Sequence, residues 1–274
     1  MYLSQNFFDQ YKIKIPGDFI CDMDNKYDLP VYISLMLSYT PFCKEPFSAK
    51  RLVRLTRVFR TANIRNKSMF YVADALLRLE KNGYIKIQYC SETTLKDDVA
   101  KSEFLFTIIE KHNIKNFLLI RAAEIDTVLD VLSNVSTDTC HYSMCTLLHV
   151  YCFLHMNMYF WQRTYTYLYP AWIGHYSEIY KSLKISKKTM SDSIKIFMDN
   201  DIFTVCYGST AENFTERQKT IVIFNKAITD QSINSVIHQV KERYNKSNTL
   251  NESWYPPNST VANSASKGVI NKVQ

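Results

Sequence analysis

Arginine and lysine are the side chains whose spacing in this sequence carries a chemical signature. From Pro46 to Ala73 stand Lys50, Arg51, Arg54, Arg57, Arg60, Arg65 and Lys67 without one Asp or Glu, and the net charge of the whole chain, +7, equals this single stretch. Cations concentrated in this way suit a polyanion. Lys and Arg that neutralise phosphates release condensed counterions, and the planar fork of Arg matches phosphate and guanine. Ser68 and Tyr71 follow within reach of the same surface. The competing reading is a solvated helix face, which ordinarily mixes both signs of charge. A second set, Lys184, Ser186, Lys187, Lys188, Thr189 and Ser191, offers small polar and basic groups suited to base edges and phosphates. Asp192, Asp199 and Asp201 follow it, and Asp74 holds the place matching Asp192 in the first half. These acids oppose DNA unless neighbours such as Lys188 or Arg78 pair with them, so plain solvation stays open for the second set.

Other chemistries find little material. The five glycines lie too far apart for a phosphate-cradling loop, which argues against ATPase, GTPase and dinucleotide chemistry. The seven cysteines form no C-x-x-C pair, and no cleavable signal peptide opens the chain, so a reduced, cytoplasmic protein is expected. His141, Cys145, His149 and Cys152 recur at helical spacing, but one straight helix cannot wrap four ligands around a tetrahedral ion. Two of them can pair with ligands elsewhere; core packing is the reading we adopt, with no metal and no cofactor. There is no H-E-x-x-H, no G-x-S-x-G and no convincing carboxylate pair, so no catalytic residue is nominated and a non-enzymatic protein is expected. Tyr165, Tyr167, Tyr169 and Trp172 either stack the bases of a single strand or pack their own loop. Thr139 to Gln162 lacks Asp, Glu, Lys and Arg, yet His141, His149, His155, Asn157 and Gln162 are costly in hydrocarbon. That segment reads as a buried helix, and no membrane partner is expected.

The elements that must position these residues repeat. With 274 residues, 46% hydrophobic and only 5 Gly and 7 Pro, the chain has room for two modest domains and little for long loops. A shift of 118 residues pairs Ser68, Val72, Leu76 and Leu79 with Ser186, Met190, Ile194 and Phe197, and then Asn82, Ile85 and Ile87 with Asn200, Phe203 and Val205. It also pairs Phe104 and Phe106 with Val222 and Phe224. Each half reads as an apolar helix (29–39, then 142–158), a shorter helix (48–59, then 177–183), a third helix with a Ser N-cap at Ser68 or Ser186, and an alternating hairpin. Three helices and a hairpin predict a winged helix.

The expected class is therefore mainly α with small β-hairpins, an α+β protein of two winged-helix domains in tandem. Its divisions are an N-terminal arm over 1–27, unit one over 28–112, a connecting strand and helix over 113–140, and unit two over 141–228. A C-terminal helix over 229–246 and a disordered tail over 247–274 complete it. Ser48 to Ser68 spans eleven residues more than Ser177 to Ser186, an insertion in unit one. The wing tips, 91–102 and 209–218, hold Glu92, Asp97, Asp98, Glu212 and Glu216 beside few cations, so recognition is expected on helices rather than wings.

The layout over 28–225, with its strings ADALLRLEKNGYIKI and SLKISKKTMSDSIKIFMDNDIFTV, resembles winged-helix proteins that initiate replication on plasmids and phages. These are the DnaD-like primosome group and the two-winged-helix Rep initiators. The resemblance implies sequence-specific double-stranded DNA as partner, with replication machinery and a homodimer as further partners it allows. A transcriptional regulator and a protein-interaction module are the alternatives.

Overall fold

Lys12-Ile13-Lys14-Ile15 alternates polar and apolar, the pattern of a strand with one buried face. The computed structural model describes residues 11–38, 46–59, 66–88, 102–109, 117–135, 143–158, 171–210, 219–225, 234–235, 238 and 252–255. The chain divides into two units, Met1–Met156 and Asn157–Gln274. The first opens with β1 (Lys12–Pro16), α1 (Gly17–Cys21), α2 (Asp28–Ser38), β2 (Phe47–Ser48), α3 (Ala49–Leu55) and α4 (Asn66–Lys81). It continues through β3 (Ile85–Gln88), β4 (Glu103–Ile108), β5 (Phe117–Arg121), α5 (Ala122–Asn134) and α6 (Met144–Met156). The second holds β6 (Ala171–Gly174), α7 (Tyr176–Ser182), α8 (Lys187–Asp199), β7 (Phe203–Thr210), β8 (Lys219–Phe224) and β9 (Glu252–Tyr255). The protein is thus a mixed α+β chain with small antiparallel sheets, ordered β1-β5, β2-β4-β3 and β6-β8-β7-β9.

Within the first unit, α2 is buried from Asp28 to Met36, and Pro30 sits in its first turn, where a missing N–H leaves no intrahelical bond unmade. The α3 helix is capped by Ser48, whose Oγ accepts from the Arg51 N–H at 3.2 Å. The α4 helix buries Met69, Val72, Ala73, Leu76 and Leu79, the face expected from spacings of three and four. It begins at Asn66, so Ser68 lies inside its first turn and is not the cap that the sequence pattern predicts. At its end Gly83 adopts φ 69°, and the Tyr84 and Gly83 N–H groups donate to the Leu79 and Glu80 carbonyls at 2.9 and 2.8 Å. Ile85 to Gln88 then pair with Leu105 to Ile108.

From Tyr11 onward the N-terminal arm is part of this core. β1 pairs with β5, placing Lys12 opposite Arg121 and Lys14 opposite Leu119, while Ile13, Ile15, Leu118 and Ile120 face inward. The α6 helix is buried from Met144 to His155 and packs on α1, α5, β5 and α2. It belongs to the first unit and not, as the repeat predicts, to the second as its opening helix. It is buried on every side, Thr146, His149 and His155 included, so no single apolar face indicates which neighbours it chooses. Among the described residues no helix is long and apolar enough to cross a membrane.

In the second unit the return strand arrives two residues earlier than the repeat implies. Ile85 pairs with Ile108, but Phe203 pairs with Phe224, so the shift of 118 that relates Ile85 to Phe203 becomes 116 on the partner strands. A two-residue difference preserves which side chains face inward, and the apolar alternation hides it. Within 229–246, Asn234, Ser235 and His238 are helical. The tail differs from the expected disorder at Glu252–Tyr255, which forms β9 along β7 with Tyr207 opposite Tyr255. Trp254 and Tyr255 are strand-favouring aromatics, and β7 has an edge for them to extend.

Candidate nucleic-acid interface

The candidate surface of the second unit is made by two helices and the turn that joins them. Where α7 ends, Lys184 takes φ 51°, and the Ile185 and Lys184 N–H groups donate to the Tyr180 and Lys181 carbonyls at 3.0 and 3.3 Å. This left-handed stop turns the chain in the space of four residues. Ser186 then caps α8 as its position in the sequence predicts, its Oγ accepting from the Thr189 N–H at 3.0 Å and lying 2.8 Å from Thr189 Oγ1. Met190, Ser193, Ile194 and Phe197 are buried. Helical geometry therefore leaves the opposite face outward, and Lys187, Lys188, Ser191 and Lys195 are all exposed on it.

Lys181 at the end of α7 and Lys184 on the adjoining turn are exposed, so from Lys181 to Lys188 four lysines stand with no acid among them. Lys181 and Lys195 were missed by sequence reasoning. The signal for Lys195 was its period, since 188, 191 and 195 fall on one helical face, and that for Lys181 was its place in the acid-free run 181–188. The Lys187 ammonium also lies 5.9 Å from the Tyr180 ring centroid, which steadies that side chain over α7. Asp192 is half-buried and Asp199 exposed farther along the helix, so the anionic end lies away from the capped end. A helix N-terminus carrying free N–H dipoles and flanked by cations attracts phosphate.

The first unit distributes its cations differently. Lys50, Arg51 and Arg54 are exposed on α3, and the Arg51 guanidinium lies 4.6 Å from the Phe47 ring centroid. Arg57 is instead consumed by the fold: its Nη1 sits 2.9 Å from Asp126 and 2.8 Å from Asp130 carboxylate oxygens and donates to the Asp126 carbonyl at 3.1 Å. Arg60 and Arg65 lie outside the described residues, as does the side chain of Lys67. Tyr71 is half-buried with its ring stacked 4.6 Å from Tyr27, which in turn stacks on Phe59 at 5.2 Å. That ring is engaged in packing. Arg78 does not neutralise Asp74; it forks onto Asp28, with Nη2 to Oδ1 at 2.6 Å and Nε to both carboxylate oxygens. Burial raises the Asp28 pKa, and Arg78 opposes that rise.

The remaining candidates resolve into core groups where they are described. Both ring nitrogens of His149 face backbone carbonyls, Ile20 at 2.7 Å and Lys26 at 3.0 Å. Burial pushes the Cys145 thiol up to about 12, and that of Cys152 higher still, so neither is a ready thiolate. Trp172 is buried in β6 and stacks near Tyr176 at 6.5 Å. His141, Tyr165, Tyr167, Tyr169 and, of the two wing tips, residues 91–101 and 211–218 lie outside the described residues. Comparison with models of known protein families, with curated proteins and with solved structures finds no match to this chain.

Proposed function

We propose that the chain is a non-enzymatic, sequence-specific double-stranded DNA-binding protein built on two winged helices, with α8 as the helix that enters the major groove. The observation that carries this reading is the exposed set Lys181, Lys184, Lys187, Lys188, Ser191 and Lys195 around the capped start of a helix that follows a four-residue turn. Each unit supports the winged-helix assignment in the same way. A short strand precedes two helices and pairs with the return strand of the following hairpin, giving the orders β2-β4-β3 and β6-β8-β7. The opening helix is α2 in the first unit; α6 holds that place in the order of the second, although its packing belongs to the first.

From the resemblance of the layout we assign the process as replication initiation on a plasmid, phage or other mobile element. A specific observation favours a second reading for the first unit alone. Where α8 presents Lys188, α4 presents Phe70, 49% exposed, and where α8 presents Lys195, α4 has Leu77. Such a helix suits a protein contact better than a phosphate backbone.

Selection of bound sequences from a random duplex library tests the proposal. A defined motif should emerge, repeated in natural targets if the protein initiates replication and palindromic if it represses. Changing Lys187 and Lys188 to Ala should lower affinity for the motif and cut the salt slope by about 0.9 for each phosphate that the variant no longer neutralises. Absence of enrichment over a shuffled library would refute DNA reading.

A further inference from the structure

Among the described residues Phe70, Ile109, Phe117 and Leu119 are the large apolar side chains left exposed, and two of them share one surface. Phe117, 41% exposed, and Leu119, 48% exposed, lie two apart on β5, so they point the same way while Leu118 and Ile120 are buried beneath. Their register partners on β1 are Pro16 and Lys14, and Lys12 lies opposite Arg121. The Lys14 ammonium stands 4.4 Å from the Phe117 ring centroid. Neither strand carries an acidic residue. Arg121 is partly engaged, its Nη2 lying 3.7 Å from Glu124 Oε2, so Lys12 and Lys14 supply most of the available charge. The result is an apolar centre with a cationic rim. Isolated exposed apolar residues are ordinary, whereas adjacent ones rimmed by charge mark interaction sites.

We propose that the outer face of the β1–β5 ribbon docks an acidic, apolar-bearing segment of a partner protein. The charge selects that occupant. A second copy docked face to face would bring the all-cationic set Lys12, Lys14 and Arg121 against the same set, which repels. A nucleic acid backbone would satisfy the cations but leave Leu119 facing phosphate, where its burial gains nothing. A segment of alternating Asp or Glu with Leu or Phe answers both parts of the surface. This inference is independent of the DNA reading, since it uses none of the α7–α8 residues.

The test uses the full chain with three labelled probes. These are a designed peptide in which Leu and Phe alternate with Asp and Glu, the same peptide with Lys replacing the acids, and a single-stranded oligonucleotide. The acidic peptide should bind and the basic one should not. Phe117→Ser with Leu119→Ser should weaken the acidic peptide by about tenfold or more, as loss of central apolar anchors does. Lys12→Glu with Lys14→Glu removes no buried group and should invert the preference towards the basic peptide. Failure of the acidic peptide to bind, equal binding of both peptides, or unchanged binding in both variants overturns the proposal. Oligonucleotide binding abolished by these same changes also overturns it, by giving the face to nucleic acid.

Discussion

Arg57 and Asp130 meet at 2.8 Å, joining the residue just beyond α3 to the middle of α5. Asp126, one helical turn earlier, approaches the same guanidinium nitrogen at 2.9 Å. Two carboxylates at i and i+4 on one helix face thereby clamp a residue that holds φ 54°. The cation most central in the basic stretch therefore positions the turn between α3 and α4, and Arg54, exposed one turn earlier, is the better candidate for the proposed phosphate contact.

Replacing Arg57 separates two opposing terms. Ala keeps the left-handed strain and loses the ion pairs, which at this partial exposure are worth about 1 kcal/mol. Gly also loses the pairs but relieves about 1 kcal/mol of strain. Urea unfolding should therefore rank Arg57→Gly near the wild type and Arg57→Ala about 1 kcal/mol below it. Neither change should alter the salt slope of DNA binding, whereas Arg54→Ala should alter the slope and leave stability within about 0.5 kcal/mol. A slope change for Arg57→Ala equal to that for Arg54→Ala would return Arg57 to the DNA surface.

Lys184 is the counterpart of Arg57, a non-glycine residue in left-handed geometry between the second and third helices of its unit. Exposure leaves it without a clamp of that kind to offset the strain. Lys184→Gly should raise stability by about 0.5 kcal/mol, the relief of strain less the greater chain entropy of glycine. The same change should weaken DNA binding. Stability and affinity moving together would show that Lys184 serves only the turn.

Ser186 offers a cleaner split between cap and contact. Ala should cost about 1 kcal/mol by orphaning the Thr189 N–H. Asp should restore the cap and suit the helix dipole, yet place a negative charge beside the phosphate approach. Thermal unfolding of Ser186→Asp close to wild type, with duplex affinity clearly reduced, is the expected pair of results. Full affinity in the Asp variant would move the DNA away from the start of α8.

Much of this arrangement is legible in the residues because it is local. Ser186 before Lys187, the Asn82-Gly83 stop and the alternation of Ile85 to Gln88 each act over a few positions, and each is found where the sequence puts it. What escapes depends on distant partners. Nothing near Lys12 announces that residue 121 will lie opposite, and nothing near Arg57 announces Asp126 and Asp130. The mostly apolar α6, buried on every side, hides its neighbours for the opposite reason, since no one face stands out for burial. A row of cations likewise fixes composition without saying which members the fold will consume.

Glu124 carries a pH dependence that follows from its surroundings. Its carboxylate is almost fully buried, accepting from the Tyr151 hydroxyl at 2.7 Å and facing His155 Nε2 at 2.8 Å, with Arg121 at 3.7 Å. Burial pushes its pKa up, but the hydrogen bond and charge of His155, the Tyr151 hydroxyl and Arg121 together outweigh burial and hold it below the ordinary value. An acid whose pKa is depressed by folding adds stability that is complete above its unfolded value, about 4.3, and lost as pH falls through the lower folded value. Stability measured by urea should therefore decline below about pH 4.3, and Glu124→Gln should flatten that decline. The variant should also be less stable at pH 7 by about 2 kcal/mol, because the buried Tyr151 hydroxyl and the Arg121 guanidinium lose a carboxylate partner. Parallel stability curves for the two proteins through the acid range would show that folding leaves the Glu124 pKa at its unfolded value.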